Sequence, residues 1–334
     1  MSARTFRELG QRGLSAFMKL LAAVNLSPSR RLSGRDQRSS IAHDGLDRTF
    51  IIHNPAFHDT PAPLPLVIAL HGNGGNAESM ILVTRRAFND LADRDGFIVV
   101  YPDGIELNWN DGRMGEQPGD GAHAGRIDDV GFISALIDLM IRDHRVDPAR
   151  VYVTGISNGA TMAYRLACEL SHRIAAIAPV DGGIPEMLLK VCWPSEPVSV
   201  LAINNVQDPI VPFEGGEIHA HSRRTSLGRV LSVNESIQFW AKRNRCSAQP
   251  LVRQEPDRDP RDGTRVTRME YAAGAKGTEV VLYSVDGGGH TWPGGLQYLP
   301  VSIVGRTSRD IDASEVIWSF FKRHSRPAGS ARGT

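Results

Sequence analysis

The 334-residue sequence predicts an α/β fold in which helices cover both faces of a mostly parallel central sheet. Two observations lead to this fold class. From residue 46 onward, short apolar runs alternate with segments of helical periodicity, which is the order of repeated strand–helix units. The apolar runs at 66–72 and 97–104 end in glycine-bearing turns, a pattern typical of strands that are buried on both faces.

The predicted strands follow one another along the chain, and most are followed by a polar loop. An outer strand at 48–53 comes before the two buried strands. Later strands are predicted near 151–155 and at 174–183, 198–208, 265–273 and 278–285. The last two are expected to be paired or neighbouring in the sheet.

Apolar stripes at helical spacing predict the helices at 78–93, 128–144, 160–170, 232–246 and 311–324. The last of these carries Asp312 and Glu315 at the spacing of a capping box. The segment 103–129 is rich in Gly and Asp and is long for a connection, so we expect it to be functional or mobile.

The composition is that of an ordinary globular protein, 41% hydrophobic and 22% charged. The 38 Lys and Arg residues nearly balance the 37 Asp and Glu residues, and the net charge of +1 gives no support to a nucleic-acid partner. No apolar run approaches the roughly 18 residues that would span a bilayer. We therefore expect neither nucleic-acid binding nor a transmembrane segment, and the oligomeric state stays open.

The chain is expected to divide into an N-terminal segment at 1–45, a catalytic domain at 46–324 and a disordered C-terminal tail at 325–334. Early arginines and an apolar stretch at 14–26 weakly resemble a secretion signal. Lys19 interrupts that stretch and no A-x-A site follows, so a short amphipathic helix is the alternative.

Three cysteines are too few and too scattered for a zinc site or a disulfide framework. Cys168 lies in a predicted helix and is expected to be a small core residue. Cys192 and Cys246 lie in predicted loops and could form a disulfide if the chain is exported, but sequence alone does not place them close together.

Ser157 stands where a β-branched strand turns into a helix, in the pentapeptide Gly155-Ile-Ser-Asn-Gly159. A turn this sharp forces strained dihedral angles on its central residue, and the two glycines lack the Cβ atoms that would clash with nearby backbone. The serine is then exposed at the positive end of a helix, where a developing negative charge is stabilised. This context predicts a nucleophile; the alternative is a serine that caps its own helix.

The predicted base is His290, because a glycine-rich turn after the last strong strand allows its loop to fold back over the sheet edge. His71 competes for this role, but it directly follows a strand beside Gly72 and is expected to order that turn. His219 and His221 would share one face of an extended segment, without a third metal ligand nearby, so a surface segment is preferred. His123 has no assigned role.

The predicted acid is Asp208, in the loop after the 198–208 strand, with Asp181 after the preceding strand as the second choice. Asp286 lies only four residues before His290 and is too local. The order Ser157, Asp208, His290 is one in which serine hydrolases carry these groups. The carboxylate of Asp208 would orient the His290 imidazole and stabilise its imidazolium form.

An oxyanion hole is predicted from the backbone N–H groups of Asn158 and Asn73. Asn73 lies in the glycine-rich turn 72–75, whose glycines allow amides to point into a site. A phosphate-binding loop is the rival interpretation, but the turn lacks the Gly-Lys-Ser/Thr ending. An ordinary turn is the other alternative.

The ordered motifs LHGNGGNAES, DDVGFISALIDLM, TGISNGATMAYRLACEL, DPIVPFEGG and GGGHTWPGG resemble the polyhydroxybutyrate depolymerase and feruloyl-esterase-like family of α/β-hydrolases, from about residue 46 to 324. The resemblance implies the α/β-hydrolase fold and serine ester hydrolysis without a cofactor, often by exported proteins. Its nucleophile, acid and base fall on Ser157, Asp208 and His290, and its oxyanion turn falls on Asn73.

Two departures leave the subfamily, and therefore the substrate, open. Ala160 stands where many members have a second glycine, and the HGNGG turn lacks the cysteine found in part of the family. The expected substrates are hydroxyalkanoate oligomers, or feruloyl or acetyl esters. Alternatives are an acyltransferase that uses the same triad and a non-catalytic binding protein with this fold.

Three aromatic residues fall on loops that are expected near the mouth of the site: Trp109, Trp292 and Tyr298. Trp292 is the best candidate for a pocket wall, and plain packing is the alternative.

Overall fold

A computed structural model describes residues 35–55, 62–113, 127–219 and 226–327. A ten-stranded sheet lies at the centre of this structure. Its described strands, with two more that form a separate hairpin, are β1 Asp36–His43, β2 Leu46–His53, β3 Leu64–Leu70, β4 Ile98–Pro102, β5 Val146–Ile156, β6 Ala176–Val180, β7 Ser199–Asn205, β8 Gly216–His219, β9 Ser226–Val230, β10 Leu251–Gln254, β11 Arg265–Tyr271 and β12 Val280–Asp286. The order across the large sheet is β1-β2-β4-β3-β5-β6-β7-β12-β11-β10, and β8 pairs with β9.

The six central strands, from β4 to β12 in this order, run parallel to one another. The strands outside them pair antiparallel. Because parallel strands need a crossover over one face or the other, both faces are covered and the central strands are almost wholly buried. The predicted mostly parallel sheet is confirmed.

Helices lie on both faces of the sheet: α1 Ala77–Val83, α2 Ala87–Asp95, α3 Asp129–His144, α4 Asn158–Glu169, α5 Glu186–Leu189, α6 Val233–Arg243, α7 Val301–Val304 and α8 Ala313–Phe321, with 3₁₀ turns at Ile105–Leu107 and Ala275–Gly277. Alternate residues of β3 enter two different cores. Leu66 and Ile68 belong to the core with α3, α4 and α6, whereas Val67 belongs to the core with α1, α2 and α8. This two-sided core is the layered α/β architecture that the sequence predicted.

The sheet starts ten residues before the predicted domain boundary at residue 46. β1 pairs with β2 along its whole length through a two-residue turn, in which Asp44 and Gly45 have φ values of 48° and 74°. An Asp-Gly turn of this kind favours a tight hairpin. The strand predicted as outermost, 48–53, is therefore the second strand of the sheet.

The predicted helix at 78–93 is two helices. The helix is interrupted at Arg85 and Arg86, which have left-handed φ values of 54° and 62°. Thr84 ends the first helix, and its hydroxyl donates to the Met80 carbonyl oxygen.

The disulfide is not the predicted one. Cys168, near the end of α4, bonds to Cys192 with a Cα–Cα distance of 4.9 Å, and Cys246 is a half-buried thiol. Cys168 was predicted to be a plain core residue, but the segment after α5 folds back against α4 and brings Cys192 to it.

The N-terminal segment before residue 35 and the tail after residue 327 lie outside the described residues, so their predicted characters stay predictions. Within the described ranges, no helix is long and apolar enough to cross a membrane.

Candidate active site

Ser157 occupies the predicted tight turn between β5 and α4, with φ 59° and ψ −121°. A Cβ atom added at Gly159 would lie 2.5 Å from the carbonyl oxygens of Leu70 and His71, so only glycine fits there. A left-handed φ at a residue with a side chain is strained, and such strain is concentrated at functional sites. The turn is held in place because the Ser157 N–H donates to the Val180 carbonyl oxygen at 2.9 Å.

His290 and Asp208 form a buried pair. The Nδ1 atom of His290 lies 2.6 Å from Oδ2 of Asp208, and their side chains are 5% and 2% exposed. The other carboxylate oxygen, Oδ1, accepts the backbone N–H groups of Ile210 and Val211 at 2.7 and 2.9 Å. A carboxylate at Nδ1 places the imidazole proton there, so Nε2 presents a lone pair that can take a proton from a nucleophile.

The charge around His290 favours the imidazolium form. Burial by itself lowers the pKa of His290, but the charge of Asp208, its hydrogen bond and the charge of Asp181 outweigh burial and raise the pKa above its usual value. The surroundings of the ring thus stabilise the protonated form that a proton transfer to Nε2 would create.

Asp181, the second choice for the acid, is fully buried beside this pair but does not hydrogen-bond to the imidazole. Its carboxylate accepts backbone N–H groups from Asn205 at 2.9 Å and from Thr291 at 3.0 Å. Burial and then the charge of Asp208 raise the pKa of Asp181 to about 8. The geometry therefore favours Asp208 as the partner of His290.

The order of the strands brings these groups to one edge of the sheet. β5, β6, β7 and β12 are neighbours, and their carboxyl ends lead into Ser157, Asp181, Asp208 and His290 in turn. Single carboxylate or imidazole atoms of the last three lie within 4.8 Å of one another. Ligand and catalytic sites of open α/β sheets form at this carboxyl edge.

The glycine-rich turn after β3 packs against Ser157. A Cβ atom added at Gly72 would lie 3.3 Å from Cβ of Ser157. The Gly74 N–H donates to the Leu107 carbonyl oxygen at 2.9 Å, and the Gly75 N–H donates to the Gly72 carbonyl oxygen at 3.0 Å. Asn73 directly precedes these two fixed amides.

His71 orders this turn, as the sequence predicted. Its Nδ1 atom donates to the Gly72 carbonyl oxygen at 2.8 Å, and its Nε2 atom accepts the Gly104 N–H at 2.9 Å. Burial lowers the pKa of His71 to about 4, so the ring stays neutral and keeps both hydrogen bonds.

The side chain of Asn158 has a role that sequence reasoning missed. It is 1% exposed. Its Oδ1 atom accepts the Trp109 N–H at 2.8 Å, and its Nδ2 atom donates to the Trp109 carbonyl oxygen at 3.1 Å and to Oδ2 of Asp111 at 2.6 Å. The residue after the serine is thereby tied to the loop at 109–111. No sequence pattern marks this contact, because its partners lie almost fifty residues apart.

The prediction that Trp109 and Trp292 line an open pocket is wrong, because both side chains are 0% exposed. The Trp109 indole N–H donates to the His71 carbonyl oxygen at 2.9 Å, and the Trp292 indole N–H donates to Ser314 Oγ at 3.1 Å. Both are packing residues of the core.

Tyr298 lies beside His290 and is partly exposed. Its hydroxyl donates to the His290 carbonyl oxygen at 2.7 Å. Asp286, which is too local in sequence to be the acid, accepts a hydrogen bond from Gln207 Nε2 at 2.8 Å. His123, His221 and the side chain of His219 lie outside the described residues.

Comparison with known proteins identifies the family. Residues 56–185 match the family described as esterase PHB depolymerase. "Putative esterase NocK" from Nocardia uniformis subsp. tsuyamanensis is 31% identical over 282 residues, which are 83% of this chain and 79% of that protein. The chain belongs to this esterase family. The resemblance seen in the sequence motifs is confirmed.

Feruloyl esterases match this chain over a smaller share of their own length. Feruloyl esterase B of Piromyces equi is 29% identical over 257 residues, covering 73% of this chain but 42% of that protein. Feruloyl esterase C of Emericella nidulans is 28% identical over 173 residues, 51% of this chain and 58% of that protein. The chain thus spans about half the length of these two relatives.

The α/β-hydrolase fold is also found in a solved structure. The acetyl xylan esterase from Aspergillus awamori matches with a TM-score of 0.53 at 15% identity, over 76% of this chain and 94% of that chain. At this identity the match shows the fold. Family membership itself supports carboxylic ester hydrolysis.

Proposed function

We propose that this esterase is a serine carboxylic ester hydrolase that works through an acyl-enzyme, with Ser157, His290 and Asp208 as its catalytic residues. The observation that carries the proposal is the pairing of a strained serine turn with a buried imidazole–carboxylate pair at one sheet edge. A nucleophile, a base and a group that orients the base are the parts that such catalysis needs.

In the proposed first step, Ser157 Oγ attacks the ester carbonyl carbon while its proton passes to Nε2 of His290. Asp208 holds the Nδ1 proton and stabilises the imidazolium. The tetrahedral intermediate then collapses, and the leaving alcohol takes the proton from Nε2. Water attacks the acyl-enzyme with the same base, which releases the carboxylic acid and restores Ser157.

The negative oxygen of the intermediate would be held by the backbone N–H groups of Asn158 and Asn73. The first lies at the positive end of α4. The turn around Asn73 packs on Ser157, and its neighbouring amides are engaged elsewhere. A donor of this kind contributes about 3 kcal/mol to transition-state stabilisation.

The proposed substrates are hydroxyalkanoate oligomers, or feruloyl or acetyl esters. The name of the family supports the first class, and the names of the feruloyl esterase relatives support the second. A panel of hydroxybutyrate oligomers, feruloyl esters and acetylated sugars would rank them by kcat/KM. Adding a second alcohol to each assay separates hydrolysis from acyl transfer, since a transferase would give a new ester.

Turnover of p-nitrophenyl acetate or butyrate tests the mechanism. We expect Ser157→Ala to abolish turnover, whereas the matched control Ser247→Ala, which changes an exposed loop serine, keeps it. Folded wild-type protein that turns over no ester, or full turnover in Ser157→Ala, would refute the proposal.

We also propose that the protein functions outside the cytoplasm. The disulfide between Cys168 and Cys192 supports this, because disulfides persist in oxidising compartments. Thiol titration of the denatured protein from its native compartment is expected to find one free thiol, that of Cys246. Three free thiols in freshly isolated protein would contradict the proposal.

A further inference from the structure

The residue after the base is held on both sides by a buried polar cluster. The Thr291 N–H donates to Oδ2 of Asp181 at 3.0 Å, and the Thr291 carbonyl oxygen accepts from Nδ2 of Asn205 at 3.1 Å. Asn205 also donates to both carboxylate oxygens of Asp181, at 2.8 and 3.0 Å. Asp181 and Asn205 thus bind both the N–H and the carbonyl group of the residue next to His290.

Asp181 adds a negative charge to the site when it ionises, with a pKa of about 8. Asp181 and Asp208 both contribute to the electrostatic environment of His290. The titratable side chains that face Asp181 are Asp208, His290 and Tyr298. No Lys or Arg in the described ranges forms an ion pair with Asp181, so its charge is not neutralised by a nearby cation.

This arrangement costs stability. Asp181 is 1% exposed and has a left-handed φ of 49°, although it carries a side chain. A buried carboxylate without a cation beside it is expensive, and so is the strained backbone. Such a combination in a core is more typical of a functional site than of a purely structural contact.

We propose that Asp181 is a positioning residue for the reaction proposed above: it fixes the backbone of the base through Thr291 and Asn205, and its ionisation adds a second negative charge that stabilises the imidazolium of His290. Asp208 contacts the His290 ring at Nδ1, whereas Asp181 contacts the backbone N–H of the next residue, Thr291. The inference rests on the proposed function.

The variant Asp181→Asn can keep the fold. The Oδ1 atom of Asn205 is buried and has no hydrogen-bond partner among the described residues. Rotation of the Asn205 amide would therefore offer an acceptor to the new amide at position 181, while the remaining oxygen still accepts the Thr291 N–H. The substitution removes the charge and keeps the bond from the Thr291 N–H, but the rotated Asn205 amide no longer donates to the Thr291 carbonyl oxygen.

The decisive measurement is an NMR titration of the His290 ring in the resting protein, with the resonance identified by its loss in His290→Gln. In the wild type we expect the His290 ring signals to show a second inflection near pH 8, where Asp181 ionises. Asp181→Asn should remove this inflection and lower the pKa of His290, because the opposite charge that stabilises the imidazolium is gone. The acidic limb of kcat/KM should move to lower pH by the same amount. Loss of positioning should also reduce kcat by about ten-fold or more.

An unchanged His290 titration in Asp181→Asn overturns the proposal, whether or not activity falls, because a merely structural role would not move it. If that variant does not fold, Asp181→Ser gives the same test with a smaller neutral group. The matched control is Asp310→Asn, since Asp310 is equally buried and accepts backbone N–H groups from Arg258 and Asp259. This control should leave the titration unmoved.

The titration needs no substrate, so it separates this inference from the proposed function. A wild-type protein without esterase turnover would refute the function, whereas the pKa of His290 would still decide the role of Asp181.

Discussion

The turn that carries Ser157 and the loop that carries His290 reach the same sheet edge by different means. The serine turn is set by neighbours in sequence, since Gly155 and Gly159 leave room for the backbone of β3 and of the turn itself. The histidine loop is set by side chains from other strands, chiefly Asp208, Asp181 and Asn205. Ser157 is thus placed by the close approach of two glycines, Gly155 and Gly159, which we call the steric device. His290 is placed by hydrogen bonds from distant side chains, which we call the polar device.

This difference explains what the sequence could predict. The glycines around Ser157 mark its turn in the sequence, and the strand–helix alternation contains the cause of the parallel sheet. The acid could only be narrowed to Asp208 or Asp181, because both follow neighbouring strands. Their side-chain directions are decided by the loop after β7, where backbone N–H groups hold one oxygen of Asp208.

The largest effect is expected from the polar device. Asp208→Asn should lower kcat by about 10⁴-fold, because an amide at Nδ1 no longer favours the productive tautomer or the imidazolium. Steady-state kinetics on p-nitrophenyl butyrate measures the loss, with Asp181→Asn as the comparison. If Asp181→Asn were the more damaging of the two, Asp208 would not be the acid.

The steric device is broken by Gly159→Ala. The added methyl group meets two carbonyl oxygens of the backbone, which cannot move as a side chain could. We expect a loss of about 1–3 kcal/mol in the free energy of unfolding, and a fall in kcat of roughly 100-fold as Ser157 is displaced.

Urea unfolding and ester kinetics measure these two effects. The control is Gly96→Ala, where φ is also left-handed, at 76°, but an added Cβ meets nothing within 4 Å. It should cost about 1 kcal/mol through backbone strain and keep kcat. Equal kinetic behaviour of the two variants would show that close approach at Gly159 does not position the serine.

A smaller effect is expected at Asn158, whose side chain ties the serine turn to the loop at 109–111. Asn158→Ala keeps the proposed backbone donor but removes the side-chain bonds to Trp109 and Asp111. Leaving these buried groups without partners should cost about 1–3 kcal/mol of stability. The accompanying shift of the oxyanion donor should lower kcat by about ten-fold with little change in KM. A fall in stability without any fall in kcat would limit Asn158 to a structural role.

The remaining differences from the sequence-based expectations share one cause. The disulfide partner of Cys192, the buried states of Trp109 and Trp292 and the side-chain contacts of Asn158 all depend on loops that fold back on distant helices. The spacing of residues in the sequence does not show where these loops fold back. The Asp44-Gly45 hairpin is different, because its turn pattern is local and was present in the sequence.

The central claim is that Ser157 is the nucleophile and that His290 activates it. Labelling with a fluorophosphonate, followed by mass spectrometry of the modified peptide, tests it most directly because it needs no knowledge of the substrate. We expect one label per chain on Ser157, no labelling of Ser157→Ala, and much slower labelling of His290→Gln. A label on another residue, or unchanged labelling of Ser157→Ala, would contradict the account.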